Sequence, residues 1–409
     1  MRYSSFFLHT NKDAKEFDSI NATLLQKGGF IDQTMSGVYT MLPIGLRVLN
    51  KIEAIVREEM DTIGTEMLMP ALSPRSLWET TKRTEIDVLL EARGANDASR
   101  KRNDASYILN CTHEELVTPI AQKSKSSYKD FPFAVYQIQT KFRNEERAKS
   151  GLMRGREFRM KDLYSFHKDE DDLLTYYEQV KKAYTTIFER VGLGEDTKIT
   201  LASGGDFTTG FSHEFQTICD AGEDIICIDT ETGIAYNEEI APEGKTYEKH
   251  KASEVGNIFP LNIKFSNAFN YTYMDENGKP QLVYMGSYGI GTTRLMGVIV
   301  EKFHDDKGII WPKSIAPFTV YLAGLNRDDE DTVRKADEIY TALKTSGIEV
   351  LYDDRDIAPG AKFSDADLLG IPYRVVVSKK TGDQVEVKSR TEAETSLVDI
   401  AACIERLKG

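Results

Sequence analysis

The sequence predicts an α+β protein in two parts, an antiparallel sheet flanked by helices followed by a small α/β domain with a mixed sheet. Three observations carry this. The 409 residues are too many for one ordinary core and comfortable for two. From Ile199 to Tyr284 the chain shows short strand candidates separated by turn signals, Gly204-Gly205, Gly233 and Asn277-Gly278, and no long helix. Beyond Pro312 the pattern changes to strands alternating with helices.

The elements follow in order. Pro43 to Ile63 reads as a helix: Pro43 suits the first turn, Leu49, Ile52, Val56, Met60 and Ile63 recur at three- and four-residue steps, and Gly64 stops it. Thr65 to Pro70 reads as a strand closed by proline, and Val135 to Arg143 as a second. A long helix is expected from Asp171 to Val191, with Leu173, Tyr177, Val180, Tyr184, Ile187 and Val191 in one stripe and Gly192 and Gly194 ending it. The glycine-rich stretch Met285 to Arg294 leads into an apolar helical segment, Leu295 to Phe303. Pro312 to Pro317 is the expected boundary, giving domains of 1–312 and 313–409. The second should hold strands at Phe318–Ala323, Ile348–Tyr352, Tyr373–Ser378 and Gln384–Lys388, a helix at Asp331–Thr345 and a closing helix at Ser396–Leu407.

Composition narrows the class of function. At 40% hydrophobic and 29% charged residues the chain is globular in type, with no apolar run of membrane-spanning length and no signal-peptide pattern, so a cytoplasmic location is expected. Cys111, Cys219, Cys227 and Cys403 are scattered, which predicts reduced thiols and no structural zinc. A net charge of -13 argues against a protein that coats nucleic acid, so any RNA contact must be local. Positive charge is instead concentrated at Lys141, Arg143, Arg147, Lys149, Arg154, Arg156, Arg159 and Lys161.

That stretch carries the first candidate site. A strand ending at Phe142-Arg143, a polar loop and a strand beginning at Arg156-Glu157-Phe158 would set an arginine, a carboxylate and an aromatic ring around one cleft. Arg143 could fork onto a phosphate, Glu145 accept from an exocyclic amine and Phe158 stack on a purine. The same residues could make a salt-bridged hairpin, and spacing alone does not decide.

The segment Phe142-Arg-Asn-Glu145 with Gly151-Leu-Met-Arg-Gly-Arg-Glu-Phe158 resembles motif 2 (about 141–164) of the class II aminoacyl-tRNA synthetases, in their prolyl branch. Gly37 to Pro70 resembles motif 1, the dimer interface of that class, and Met285-Gly-Ser-Tyr-Gly-Ile-Gly-Thr-Thr-Arg294 resembles motif 3 (about 285–303). Glycines near an arginine are weak signals one at a time. Three motifs in order are strong, and the resemblance runs from about Phe6 to Leu407.

The resemblance implies a proline--tRNA ligase with the class II antiparallel sheet, using ATP and Mg²⁺ to form prolyl-adenylate and then prolyl-tRNA, as a homodimer. It implies Arg143 on the α-phosphate and the substrate carboxylate, Arg154 on a phosphate, Arg294 on the γ-phosphate, and Glu145 and Phe158 on the nucleotide. In-line attack on the α-phosphorus needs its charge neutralised, which fixed arginines supply. Thr112 and Glu114, in Thr112-His-Glu-Glu115, are implied to hold proline's secondary ammonium, although a Thr-x-Glu triplet is often only a helix cap. Met160, Asp162, Tyr164, His213, Ser287 and Gly289 are implied to wall the proline pocket; Glu214 is a candidate Mg²⁺ ligand that the resemblance itself does not assign. Read without the family, His213 is a satisfied core histidine. Ile348 to Arg355, Pro359 to Phe363 and Asp367 to Pro372 resemble the anticodon-binding domain shared by prolyl, threonyl, glycyl and histidyl enzymes, with Asp354, Arg355, Lys362 and Asp367 as candidate tRNA contacts; for each, a solvated loop is the alternative.

The chain departs from the family in places. Arg147-Ala-Lys149 stands where Arg-Pro-Arg is common, Ser287 where cysteine is frequent, and Asn257 where histidine is frequent. Phe158 to Met285 leaves no room for the large editing insertion of standard bacterial enzymes, so alanine should be misactivated and a separate deacylase should clear the product. The rivals are a threonyl, glycyl or histidyl enzyme, and a catalytically silent tRNA-binding scaffold. Absence of a zinc-ligand set disfavours threonine, the Thr112, Glu114 and His213 constellation disfavours the other two, and the intact arginines speak against the scaffold.

Overall fold

The computed structural model describes residues 1–7, 10–13, 16–205 and 211–408. They form two compact units, one of Met35–Val38 and Glu53–Val298, the other of Met1–Thr34, Tyr39–Ile52 and Ile299–Gly409. The second unit thus takes in N-terminal segments that the sequence groups with the first domain.

Two early helices are α1 (Ile20–Lys27) and α2 (Pro43–Met60), and the division between units falls within α2. The larger unit then runs β1 (Thr65–Glu66), α3 (Arg75–Thr81), α4 (Glu114–Gln122), β2 (Phe133–Phe142), β3 (Glu157–His167), α5 (Glu170–Arg190), β4 (Thr197–Ser203), β5 (Phe211–Ile218), β6 (Asp224–Asp229), β7 (Ala235–Asn237), β8 (Tyr247–Asn262), α6 (Lys264–Ala268), β9 (Tyr284–Ile290) and α7 (Thr292–Lys302), whose last turn enters the other unit. Its nine-stranded sheet has the order β5-β4-β7-β6-β8-β9-β3-β2-β1, and β5 also pairs with β8. All pairings are antiparallel except β7 with β4 and β1 with β2. One face is covered by α5, whose buried Leu173, Tyr177, Val180, Tyr184 and Ile187 belong to the predicted stripe; its last member, Val191, is buried too but caps the helix one residue past Arg190.

The strand expected at Thr65–Pro70 is shorter. Past Glu66, side chains replace the backbone ladder: Gln137 accepts from Met69 N (2.9 Å) and Gln139 donates to Met69 O (2.8 Å), just before Pro70, which has no N–H to give.

The other unit carries β10 (Val320–Gly324), α8 (Glu330–Thr345), β11 (Val350–Asp353), α9 (Pro359–Leu369), β12 (Tyr373–Val377), β13 (Val385–Ser389), β14 (Ser396–Val398) and α10 (Ile400–Lys408). Its five-stranded sheet, in the order β11-β10-β12-β13-β14, is mixed: β10 runs parallel to β11 and β12, and the rest are antiparallel. Two elements differ from expectation. The closing helix begins only at Ile400, because Ala402 N donates to the Asp399 carboxylate (2.8 Å) as at a helix cap, while Ser396–Val398 joins the sheet edge. Helix α9 occupies a stretch for which no helix was expected; it starts on Pro359 and ends at left-handed Gly370 (φ +68°). Within this unit the N-terminal segment is a working part: Tyr352 N donates to Met1 O (2.8 Å), buried Tyr3 lies 3.5 Å beneath the Arg355 guanidinium, and Arg47 and Lys51 of α2 both reach Glu349.

Candidate active site

The site grows from strand register. Along β3, Met160, Asp162 and Tyr164 alternate onto one face; opposite them on β9 stand Gly289 (against Asp162) and Ser287 (against Tyr164). Across β8, Asn257 faces Gly289 and Phe259 faces Ser287, and on β5 Glu214 faces Asn257. These residues, with Thr112, Glu114, Arg143, Ser203, Gly204, Gly205 and Glu254, line a cavity of about 300 Å³. Every residue predicted for the proline pocket is brought together there except His213.

His213 is adjacent to Glu214 on β5, so the two-residue strand period turns it to the opposite face. There its Nδ1 meets the Tyr177 hydroxyl of α5 (2.8 Å), and burial, then Lys181, holds its pKa down to about 4. It takes no part in the lining formed by the described residues.

Beneath the cavity is a buried polar network. Glu114, fully buried at the start of α4, accepts from the Thr112 hydroxyl (2.5 Å), the Ser287 hydroxyl (2.9 Å) and Arg83 Nη1 (3.2 Å). Thr112 therefore serves a carboxylate, and no side chain caps α4. Asp162 accepts from Gln137 (2.9 Å) and Tyr164 (3.0 Å) and pairs with Lys141 (2.7 Å). His113 gives Nε2–H to Pro70 O (2.9 Å) and takes Lys141 Nζ at Nδ1 (2.8 Å). Burial first and Lys141 second depress its pKa to about 4, so it stays neutral.

A second set of residues adjoins the first through Arg143, Met160, Glu254, Asn257 and Gly289. Arg143, Glu145, Met153, Arg154, Phe158, Gly291 and Arg294 complete it. All the predicted nucleotide residues meet here. The Arg143 guanidinium lies 5.2 Å from the Phe158 ring centroid, and its Nε is buried without a hydrogen-bond partner. Arg294 is aimed by two carbonyls, donating to Met153 O (2.8 Å) and Glu254 O (2.6 Å). Arg154 bridges Glu145 (2.7 Å) and Glu223 (2.8 Å).

Several site residues escaped sequence reasoning, above all the carboxylates Glu254 and Asp224. Gln216 donates to both Glu214 (2.9 Å) and Asp224 (2.8 Å), and Asn257 to Glu254 (2.7 Å). Burial and then Glu254 push the Glu214 carboxyl up to about 7, the mark of crowded negative charge. A register shift between Phe215 and Gln216 sets Glu254 opposite Gln216, on the pocket side with Asn257. A bulge of this kind has no signature in residue types. No cluster of three or more histidine, cysteine or acidic side chains forms a ready-made metal cage among the described residues.

In the smaller unit the four candidate anticodon residues are engaged internally. Asp354 accepts from Ser4 N (2.9 Å) and Ser4 Oγ (2.7 Å); Arg355 pairs with Asp353 and Asp365 (2.8 Å each); Asp367 lies 3.8 Å from Arg374. Lys362 is 1% exposed and gives its ammonium to the carbonyls of Gly324 (2.7 Å) and Asp353 (3.1 Å), so it faces the interior.

Residues 96–303 match the family described as the tRNA synthetase class II core domain (G, H, P, S and T), and residues 319–409 match the anticodon binding domain. The chain is 38% identical to a proline--tRNA ligase of Wolbachia sp. subsp. Drosophila simulans (strain wRi), over 99% of each chain. A proline--tRNA ligase of Geobacillus sp. (strain WCH70) is 31% identical over 100% of this chain and 99% of the relative. That alignment spans 569 positions against 409 residues here, so the relative carries about 160 residues without a counterpart. Among solved structures, Giardia lamblia prolyl-tRNA synthetase in complex with prolyl-adenylate superposes with a TM-score of 0.78 at 20% identity, covering 94% of this chain and 75% of that one.

Proposed function

The chain belongs to the class II aminoacyl-tRNA synthetases, in the family of proline--tRNA ligases, and from that premise we infer that it activates proline with ATP to prolyl-adenylate and transfers the prolyl group to the 3′ end of its tRNA. The observation that carries the site assignment is the position of Arg143. It lines both residue sets, with a buried guanidinium nitrogen that has no partner. A buried cationic donor left unpaired is costly unless an anion completes it. A substrate carboxylate approaching an α-phosphate brings two anions to that point.

The residues divide the work by charge. Glu114, oriented by Thr112 and Ser287, receives the secondary ammonium, while Met160, Asp162, Tyr164 and Gly289 close a small pocket around the ring. Phe158 offers its face to the purine, Glu145 accepts from the exocyclic amine, and Arg154 and Arg294 take the outer phosphates. No side chain acts as nucleophile: the substrate carboxylate attacks the α-phosphorus, pyrophosphate leaves, and the terminal ribose hydroxyl of tRNA then attacks the carbonyl. Positioning and fixed positive charge supply the rate. Mg²⁺ would neutralise the phosphates of ATP, and Glu214 and Glu254 fit as its holders, since this ion takes one or two carboxylates and completes its shell with phosphate and water.

We further propose a homodimer through the face after α2, where Leu68 (72% exposed) and Leu72 (45% exposed) stand in solvent. The tRNA anticodon is taken by a second domain at 313–409, and the protein works in the cytoplasm. The missing length relative to the Geobacillus enzyme supports the absence of an editing domain, with a separate deacylase clearing alanyl-tRNA. ATP–pyrophosphate exchange run with each amino acid tests the reading: exchange with proline alone is expected, and Arg143→Ala should lower it by at least about 10²-fold. Exchange with another amino acid only, or full activity in Arg143→Ala, would overturn it.

A further inference from the structure

Behind the pocket lies a charge cluster that the proposed chemistry leaves unused. Glu114 and Glu115 open helix α4 side by side, both fully buried, and the only cation that touches them among the described residues is Arg83, itself 6% exposed. One nitrogen, Nη1, reaches Glu114 (3.2 Å) and Glu115 (2.9 Å) together. The guanidinium is held in place from several sides. Lys82, in a left-handed conformation (φ +58°), turns the chain out of α3; Arg83 N donates to Trp78 O (3.0 Å); and the rings of Trp78 and Phe265 lie 5.6 and 5.2 Å from the guanidinium carbon. Glu115 also accepts from the Thr81 hydroxyl (2.8 Å), and its Oε2 is buried without a partner. Glu114 faces the cavity; Glu115 does not line it.

The charges can be counted. Two carboxylates against one guanidinium leave one net negative charge when both are ionised. Of the groups beside the cluster, Cys111 is a neutral thiol, its pKa pushed up to about 11 by burial, His113 is neutral, and Lys141 cancels Asp162; across the same cavity stand Arg143, Glu254 and Glu214, whose own carboxyl is raised to about 7, so only a change that follows Glu115 itself reports on the cluster. At the wall where Glu114 stands, the cluster therefore offers a single secondary ammonium one matching charge.

We propose that Arg83 is a positioning residue for the substrate ammonium: it fixes Glu114 in place and offsets the charge of Glu115, so that this cluster presents one net negative charge, at Glu114, to the amino acid. The inference rests on the proline-activation reading above. It has a pH signature, because burial, and then Glu114, raises the Glu115 carboxyl to about 7, against the pull of Arg83. Below that pH the cluster is neutral and proline binds less well. Above it the negative charge is present.

The test is ATP–pyrophosphate exchange on the full chain, with proline and ATP titrated separately between pH 6 and 8. Wild-type proline KM should fall as the pH rises. Arg83→Met should raise proline KM about tenfold or more while ATP KM stays within about twofold, and Arg83→Lys should recover part of the loss. Glu115→Gln keeps the shape and provides a second variant if loss of Arg83 unfolds the chain. It should raise proline KM about tenfold at pH 8 and flatten its pH dependence. Unchanged proline KM in Glu115→Gln, or proline and ATP KM rising together in Arg83→Met without recovery in Arg83→Lys, would overturn the role of Arg83 alone. A wild type that does not exchange with proline would overturn the activation reading as well.

Discussion

His113 shows what burial does to a single side chain under this sheet. In the unfolded chain it takes up a proton at its ordinary value of 6.5, but in the folded protein only near 4, since burial and Lys141 oppose the charge. Its contribution to stability is therefore full above about pH 6.5 and is lost as the pH falls toward 4, about 3 kcal/mol in all. His113→Gln should lose that part of the acid dependence, and urea unfolding at pH 4.5 and 7 of both proteins measures the difference. At this scale the sequence was informative where a residue type serves one chemistry. Thr112, Glu114 and Arg143, which the motifs single out, line one cavity, and Arg143 with Phe158 and Arg294 lines the set that adjoins it. It was uninformative where facing matters. His213 and Glu214 are neighbours in sequence on opposite faces of β5, and Lys362, a surface-type residue, is drawn inward by two backbone carbonyls.

Among the elements, the loop between β2 and β3 is shaped by a glycine far away in sequence. Gly37 sits at φ +75°, its carbonyl accepts from Arg156 N (2.7 Å), and an added Cβ would come within 2.5 Å of Ala148 Cβ and 2.9 Å of Arg156 N. Gly37→Ala would cost about 1 to 2 kcal/mol from the left-handed backbone alone and would also push the loop that carries Glu145 and Arg154. Raised ATP KM together with a lowered melting temperature is the expected result. The N-terminal segment is the corresponding case in the smaller unit. Tyr3→Ala, which removes a buried ring from under Arg355, should destabilise that unit by about 3 kcal/mol, measured by urea unfolding. Long periodic elements such as α5 were legible. Helix α9 was not, although Pro359 and Gly370 bracket it, because its buried face includes Lys362 and Asp365, which blur the apolar stripe. The short reach of β1 depended on Gln137 and Gln139, which no pattern in its own residues announces.

For the whole molecule, length bears on accuracy. A pocket that must reject a smaller amino acid gains only about 1 to 3 kcal/mol per missing methylene, or roughly 10- to 200-fold, well short of what translation requires. The purified protein should thus form alanyl-tRNA when supplied with alanine and the proline tRNA, detected as acid-precipitable label; a chain that forms none would carry its own discrimination. The arrangement of the two units has a consequence for synthesis. Unit one of the chain order, Met1–Thr34 with Tyr39–Ile52, is completed only by Ile299–Gly409. A ribosome adding about 5 to 20 residues per second needs roughly ten to fifty seconds to translate the stretch between them. For that interval Tyr3 and the first turns of α2 are outside the exit tunnel with no sheet to receive them, while the larger unit is already being finished. Until residue 299 emerges, the buried ring of Tyr3 and the buried side of α2 have no partner sheet, and a chaperone that recognises exposed apolar side chains has its opportunity in that interval.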